Sequence, residues 1–350
     1  MTLQLTTSER VAQDETLLGG YAYQIIRQQS KRIAKLRSQV LADTDPEPLH
    51  QMRIGTRRLR SALALFADVI EVDSLTQDES SEASTPDSSA KAVGKLTKAL
   101  GKVRDLDVMQ AWFEQTLTAH KGTVSQKDGI AGDLSKQEKK VIKAILKKLK
   151  KRRKKQFSRL EKTLSRKTYK KLTRRFKQWI KHPVFSSAAR QSASREAAVR
   201  IITPLTELLQ HPGWLVATRK QGKQVIPISN ITLPKLNQTF DQEGAKLHDL
   251  RKQVKNIRYQ MEFFRGLYDL TYAAQVREFR NLQSILGQLQ DQIVVAQFLT
   301  DELGPEWVQQ LPTIAAAFQA SRLDLWQQWQ SYQRKYLKLR SQLPAAVSAA

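Results

Sequence analysis

The sequence has no cysteine, little glycine and few acidic residues, and each shortage excludes a class of protein. With Cys 0, a disulfide framework, a thiolate metal site and a cysteine nucleophile are all ruled out. Glycine makes up 14 of 350 residues, about half of the usual frequency of about 7%. No stretch approaches about 18 consecutive apolar residues, and the first residues do not resemble a signal peptide. We therefore expect a soluble, cytoplasmic chain with no membrane partner.

Ala, Leu, Gln, Lys and Arg fill the long segments, with apolar residues at the period of an α-helix. An apolar content of 40% is enough for the cores of two units of about 150 residues. The periodicity, together with caps and breakers, predicts an all-α fold. We predict eight helices, near residues 14–42, 47–70, 91–119, 135–181, 192–210, 242–272, 275–303 and 305–342.

Three interruptions organise the chain. Residues 73–90 are acidic, polar and almost free of large apolar side chains, which predicts a flexible surface loop. Residues 211–241 are interrupted by prolines and predict a long connector, with a short extended piece at 224–228. His182 and Pro183 break the fourth predicted helix. We place the boundary there, between a first unit at 14–182 and a second at 183–342.

Positive charge dominates, with 59 Lys and Arg against 33 Asp and Glu and a net charge of +26. Between Lys139 and Lys181 there are 21 Lys or Arg and one acid, Glu161. A solvated helix face that keeps the protein soluble is the ordinary interpretation of such a run. A nuclear-import or nucleic-acid patch at residues 147–155 is another. We favour an anion-binding wall, because solubility does not require so much self-repulsion.

The chain also contains an internal repeat. The segment from His50 to Phe66 matches the segment from His248 to Phe264 without a gap, with the shared template His-x2-Arg-x3-Lys/Arg-x2-Arg-x5-Phe. On a helix the cationic positions of each copy fall within about 80° of one another, with apolar residues behind them. This predicts a first stripe on the second helix and a second stripe on the sixth. The first stripe is His50, Arg53, Arg57 and Arg60. The second is His248, Arg251, Lys255 and Arg258.

A second shared piece follows each copy. Residues 100–105 read Leu-Gly-Lys-Val-Arg-Asp, and residues 286–291 read Leu-Gly-Gln-Leu-Gln-Asp. Asp105 and Asp291 are short acceptors at equivalent places, and we predict that each orients a neighbouring arginine or caps backbone donors. The chain is therefore interpreted as a duplicated helical unit.

The paired stripes and the piece after each of them resemble the CHAD family, the histidine-containing α-helical domains that bind inorganic polyphosphate. The resemblance covers about residues 14 to 340. It implies an all-α, internally duplicated fold in which two four-helix bundles, related by pseudo-twofold symmetry, surround a basic central cleft. It also implies a cytoplasmic protein associated with polyphosphate granules. Family members often carry a triphosphate-processing domain built around Glu-x-Glu-x-Lys, a motif missing from this sequence, so that chemistry is not inferred.

The resemblance implies inorganic polyphosphate as the partner. Because the sequence has no Walker loop, no nucleophile elbow and no convincing carboxylate pair, we expect no catalytic residue, no metal and no cofactor. The residues expected to bind polyphosphate are His50, Arg53, Arg57, Arg58, Arg60, His248, Arg251, Lys252, Lys255, Arg258, Lys147, Lys151 and Lys154. Asn256 stands where the first copy has Arg58, and Glu262 stands where it has Ala64. The second half is therefore expected to bind more weakly.

The chemistry of the stripes agrees with a polyanion. Arginine offers a planar fork to phosphate oxygens, lysine a mobile charge, and histidine a donor once an anion lies beside it. Single-stranded nucleic acid is the alternative, as a non-specific competitor, but few aromatic residues lie among the cations for bases to stack on. His248 and Asp249 also resemble the centre of a metal-dependent phosphohydrolase, without further spaced ligands to complete it. A helical scaffold with non-specific charge is the third alternative.

Overall fold

The computed structural model describes residues 16–72, 87–118 and 133–343. In these ranges the chain forms ten α-helices and one two-stranded sheet, which confirms the all-α class. The first helices are α1 (Leu18–Ala42), α2 (Pro46–Leu65), α3 (Asp87–Thr118), α4 (Lys136–Ser165) and α5 (Lys167–Lys181). Next come α6 (Ala193–Gln210), β1 (Thr218–Gln221) and β2 (Gln224–Pro227). The last helices are α7 (Leu233–Phe263), α8 (Leu270–Leu303), α9 (Trp307–Gln310) and α10 (Pro312–Ser341).

The long basic segment differs from its prediction. Residues 135–181 were expected to form one helix, but the helix ends at Ser165 and a new one starts at Lys167, with Arg166 extended between them. The turn lets α4 pack near its start in one cluster of buried residues, while the end of α4 and all of α5 pack in another. Residues 150–156 carry no buried side chain, although α4 continues through them unbroken.

The predicted connector at residues 211–241 is shorter than expected. The extended piece exists as β2, which pairs antiparallel with β1. Helix α7 then begins at Leu233, because Pro234 occupies its first turn, where a missing backbone N–H costs nothing. At the other loop, α3 starts at Asp87 and so includes the last residues of the predicted segment 73–90. Residues 73–86 lie outside the described part of the chain.

Most of the apolar side chains form one core that runs through both predicted units, from Leu18 on α1 to Leu337 on α10. A smaller cluster joins the far ends of α3, α4, α8, α9 and α10, around Phe113 and Trp307. In the ranges that the structure covers, no helix is both long enough and apolar enough to cross a membrane. The boundary at His182 coincides with the end of α5, but the division into 14–182 and 183–342 and the duplication of the whole unit stay predictions.

Helices α2 and α7 pack against each other at the centre of the molecule. The rings of Phe66 and Phe264, the last residues of the two repeats, meet edge to face with centroids 5.9 Å apart. Tyr21 of α1 stacks on Phe264 at 5.7 Å, and its hydroxyl donates to the carbonyl of Phe263 at 2.6 Å. These contacts fix the two repeat helices side by side and therefore fix the distance between their cationic stripes.

Candidate polyanion-binding site

Helix α2 presents the first stripe because its other side is committed to the core. The helix begins at Pro46 after Asp45, whose carboxylate accepts a hydrogen bond from the Glu47 amide at 2.9 Å. The four apolar residues predicted behind the stripe are all buried, as expected; they are Met52, Leu59, Leu63 and Phe66. The stripe itself is open, with His50, Arg53 and Arg57 half-buried and Arg60 exposed.

Helix α7 repeats this arrangement. Its predicted backing residues are also all buried; they are Leu250, Ile257, Met261 and Phe264. The stripe on the other side is half-buried along its length; its residues are His248, Arg251, Lys255 and Arg258. The prediction of a cationic stripe backed by a core stripe is therefore confirmed for both helices.

The second shared piece packs against the stripe arginine in both repeats. In the first, Arg53 Nη2 lies 3.2 Å from the Asp105 carboxylate, and in the second, Arg251 Nη2 lies 3.8 Å from Asp291. The guanidinium of each arginine also lies over the glycine of the same piece. A Cβ at Gly101 would be 3.4 Å from Arg53 Nε, and one at Gly287 would be 3.4 Å from Arg251 Nη2. Each aspartate therefore lies beside the stripe arginine of its repeat, and the predicted role of orienting that arginine stays a prediction for Asp291.

The carboxylates of Asp105 and Asp291, one from each repeat, also interact with each other. Both aspartates are exposed. The pKa of Asp291 is raised mainly by desolvation and, to a smaller extent, by repulsion from Asp105, while Arg251 lowers it. Asp105 on α3 and Asp291 on α8 therefore lie close enough for their charges to repel each other.

Each histidine lies in a cationic environment. Burial lowers the pKa of His50, and the guanidinium of Arg104 lowers it further. Burial and Lys252 likewise lower the pKa of His248, which also bonds to Gln290, the residue that replaces Arg104 in the second repeat. Nδ1 of both rings is buried and has no hydrogen-bond partner in the described structure. A neighbouring anion would raise both pKa values and so favour protonation of the two imidazoles.

Lys255 marks the point where the stripes meet. Its pKa is lowered to about 8 by desolvation and then by the guanidinium groups of Arg57, Arg251 and Arg53. Two of those arginines are on α2 and one is on α7, so the ammonium lies between the stripes. The site therefore holds cations from two helices close enough to repel one another, which a bound anion would relieve.

Two predicted contacts are already neutralised by a protein carboxylate. Glu262 is 10% exposed and pairs with Arg58 of α2 at 3.0 Å, with Arg258 of its own helix, and with Arg280 of α8 at 3.0 Å. Arg258 Nε also donates to Gln283 at 2.7 Å. Arg58 and Arg258 are thus tied into the α2–α7 interface, and their role as ligand contacts stays a prediction.

Asp249 does not combine with its neighbour His248 as a phosphohydrolase centre would require. Its carboxylate is 3.2 Å from Nε2 of His211, which can donate because Nδ1 accepts from the Gly213 amide at 2.9 Å. This bond is the main cause that lowers the pKa of Asp249. Lys252, another predicted contact, lies 3.5 Å from the same carboxylate. The described residues hold no group of three His, Cys, Asp or Glu able to bind a metal ion.

Part of the positive charge of α4 is paired with carboxylates from other parts of the chain. Arg153 pairs with Asp43 and Asp107, both at 2.6 Å. Lys148 and Arg152 pair with Glu302 of α8, and Lys150 lies 3.4 Å from Glu114 of α3. Acids from other parts of the chain therefore compensate a part of the charge that the sequence of α4 leaves unbalanced.

Three predicted contacts lie elsewhere on α4. Lys147, Lys151 and Lys154 are exposed and fall on the face opposite the buried Leu149. No ion pair connects them to the carboxylates of the described helices. The structure does not bring them into the group around Lys255, so a contribution from them would be long-range attraction.

One residue of the site was missed by the sequence interpretation. Arg104 lies close enough to lower the pKa of both His50 and Arg53. It belongs to the Leu-Gly-x2-Arg-Asp piece, which was interpreted only through its aspartate. The sequence did contain a signal for it, because Arg104 directly precedes Asp105, which was predicted to orient a neighbouring arginine.

Comparison with known proteins identifies the same family that the repeated motifs resemble. The CHAD domain family matches residues 24–300. The CHAD domain from the plant Ricinus communis is 23% identical, with a TM-score of 0.56 over 94% of this chain and 93% of that one. PptA from Streptomyces chartreusis is 14% identical, with a TM-score of 0.57 over 93% of this chain and 100% of that one. No curated protein sequence matches. At these identities the structural likeness describes the fold alone.

Proposed function

The chain belongs to the CHAD domain family, and from that premise we propose that it binds inorganic polyphosphate without cleaving it. The ligand lies along the first and second stripes, in the cleft between α2 and α7. The proposal goes beyond family membership, and the arrangement of charges in this chain supports it.

The observation that carries the proposal is the position of Lys255 among arginines of both stripes. Cations held together at one place gain most from a ligand that carries many negative charges at short spacing. Charge-assisted hydrogen bonds contribute about 1.5–3 kcal/mol each, so the stripes offer more than one small phosphate could use. A linear polyanion can satisfy the donors of both helices at once.

Binding without cleavage agrees with the chemical roles available in the cleft. The stripes supply donors, and the carboxylates of Asp105 and Asp291 are engaged with Arg53 and Arg251. These carboxylates orient the guanidinium groups that would receive phosphate oxygens. We assign no nucleophile or general base.

Nucleic acid is the alternative ligand, and the aromatic residues near the stripes argue against it. Tyr259 is buried beneath the guanidinium of Arg258, 4.5 Å from its ring centroid, and Phe66 and Phe264 are buried in the core. Bases of a single strand would find no exposed ring on which to stack at these positions.

Competition between polyphosphate and RNA of equal charge, at several salt concentrations, tests the proposal. We expect the double variant Arg53→Ala/Arg251→Ala to weaken polyphosphate more than RNA. The matched control is Lys147→Gln/Lys151→Gln/Lys154→Gln, which removes charge outside the cleft. It should lower the salt slope and the association rate for both ligands alike. Equal losses on both ligands from both variants would contradict a specific site.

A further inference from the structure

A second concave site lies behind the first stripe. A cavity of about 580 Å³, here called the α5 pocket, opens between α1, α2, α3 and α5. Thr56 and Leu59 of α2 line it, and Leu59 lies about 120–160° around that helix from Arg53 and Arg57. The volume falls within the range of about 300–1,000 Å³ that is usual for small-molecule sites.

The walls of the α5 pocket are apolar. The buried side chains that line it come from all four helices; they include Ile33, Leu59, Leu96, Leu172 and Phe176. An aliphatic chain placed here would exchange water for apolar contacts at about 0.8 kcal/mol per methylene group. The interior therefore suits the body of an apolar ligand.

The opening of the α5 pocket is cationic. Lys31, Lys170, Arg174 and Lys177 line the pocket and are exposed, and no acid is among its lining residues. In the described structure these four side chains form no salt bridge. Their aliphatic stems extend the apolar wall while their charges stay at the surface. The opening is thus suited to a negatively charged head group.

Two hydroxyl groups of the lining lack a partner. Within the described residues the Tyr169 hydroxyl and Ser30 Oγ are buried and have no hydrogen bond, and Tyr169 as a whole is only 6% exposed. By contrast, the hydroxyls of Thr56 and Thr173 donate to carbonyls of their own helices. A buried hydroxyl without a partner is costly, and an acceptor oxygen brought by a ligand would satisfy it.

We propose that the α5 pocket binds a single-chain amphiphile with an anionic head group, of the chemical class of a medium-chain fatty acid. The chain lies between α1, α2 and α5, and the carboxylate meets the cations of the opening. Tyr169 and Ser30 donate to its oxygen atoms. This site is separate from the proposed polyphosphate cleft, and the inference does not rest on that function.

Laurate binding to the full chain, measured by calorimetry, tests the proposal. Ala34 is exposed and lines the pocket, so Ala34→Trp should fill the opening without disturbing the core. We expect this variant to bind laurate at least about tenfold more weakly. Its affinity for polyphosphate should stay within about twofold, because Ala34 lies outside the cleft. Unchanged laurate affinity would overturn the proposal.

The charge of the opening is tested separately. Lys170→Gln/Arg174→Gln/Lys177→Gln should weaken laurate about tenfold but leave neutral dodecanol unchanged. The matched control, Lys147→Gln/Lys151→Gln/Lys154→Gln, removes equal charge from α4 and should leave laurate unchanged. If both triple variants lost laurate affinity equally, the loss would reflect net charge alone, and the proposed site would be wrong.

Two further measurements test the role of the Tyr169 hydroxyl and whether the protein binds a free amphiphile or a lipid surface. Tyr169→Phe keeps the ring and should weaken laurate several-fold, through loss of one donor. An unchanged affinity would remove Tyr169 from the proposal. Flotation with phosphatidylglycerol vesicles tests the other source. Binding to vesicles that Ala34→Trp leaves intact, in the absence of laurate binding, would show a membrane-surface interaction and overturn the pocket.

Discussion

Helix α2 carries its stripe with no acid beyond Arg60, whereas α7 places Glu262 one turn after Arg258. In the described chain Arg57 and Arg60 have no carboxylate partner, while Arg258 is held by Glu262 and Lys252 lies beside Asp249. Gln290 further replaces Arg104 beside the histidine. A repeated spacing can therefore conserve the shape of a surface and still change its charge. We infer that the first stripe anchors the ligand and the second extends the contact.

The largest expected effect concerns chain length, because only a long ligand can touch both stripes. Affinity for polyphosphate should rise steeply with chain length and then level off, by about 10²- to 10⁴-fold over either stripe alone. Calorimetry against graded chain lengths measures this. Triphosphate bound as tightly as a hundred-unit chain would rule out a shared cleft.

Matched triple variants compare the stripes directly. Arg53→Gln/Arg57→Gln/Arg60→Gln should weaken long polyphosphate by about a hundredfold, since it removes three charge-assisted donors that are partly exposed. Arg251→Gln/Lys252→Gln/Lys255→Gln should weaken it by about tenfold and remove a corresponding part of the chain-length advantage, since His248 and Arg258 of the second stripe remain. Both are measured by calorimetry on the same ligand. A greater loss from the second variant would reverse the assigned roles.

The pH dependence should locate the contact between the stripes. The pKa of free Lys255 is lowered to about 8, and a bound polyanion raises it, so the complex takes up a proton. Affinity should therefore fall as pH rises above about 8, by at most about tenfold per pH unit. Titration between pH 7 and 10 should show this in the wild type and not in Lys255→Met.

His50 and His248 provide the control for that measurement. Their pKa values are lowered, so their effect should appear only on the acid side, as stronger binding below about pH 6.5. A double His→Gln variant should lose this acid effect and keep the alkaline one. If it lost the alkaline effect instead, Lys255 would not be the titrating group.

The smallest expected effect on affinity comes from removing the acid that distinguishes the two stripes. Glu262→Gln should strengthen polyphosphate binding several-fold, because it releases the charges of Arg58 and Arg258. It should also lower the free energy of unfolding by about 1–3 kcal/mol, since Arg258 is nearly buried. Urea unfolding and calorimetry of the same variant check both. Unchanged stability together with weaker binding would contradict this account of Glu262.

The stripes, their backing residues and the pairing of Arg53 with Asp105 were predictable, because each depends on spacing within one helix or on a repeated motif. The start of α7 was not predictable, because a proline such as Pro234 is equally compatible with a loop and with the first turn of a helix. Nor was the break at Arg166, where no proline or glycine marks the end of α4. Arg58 and Glu262 are 204 residues apart, and only the packing of α2 on α7 brings them together. The charge compensation of Arg153 by Asp43 depends in the same way on distant helices.

Gly101 and Gly287 affect the entropy of binding. A flexible arginine carries about 2 kcal/mol of rotamer entropy, which a ligand must overcome if it has to immobilise the side chain. Arg53 and Arg251 are already held flat against a glycine and beside an aspartate before any ligand arrives. Much of that ordering has therefore taken place during folding, and phosphate binding at these two positions loses correspondingly less conformational freedom.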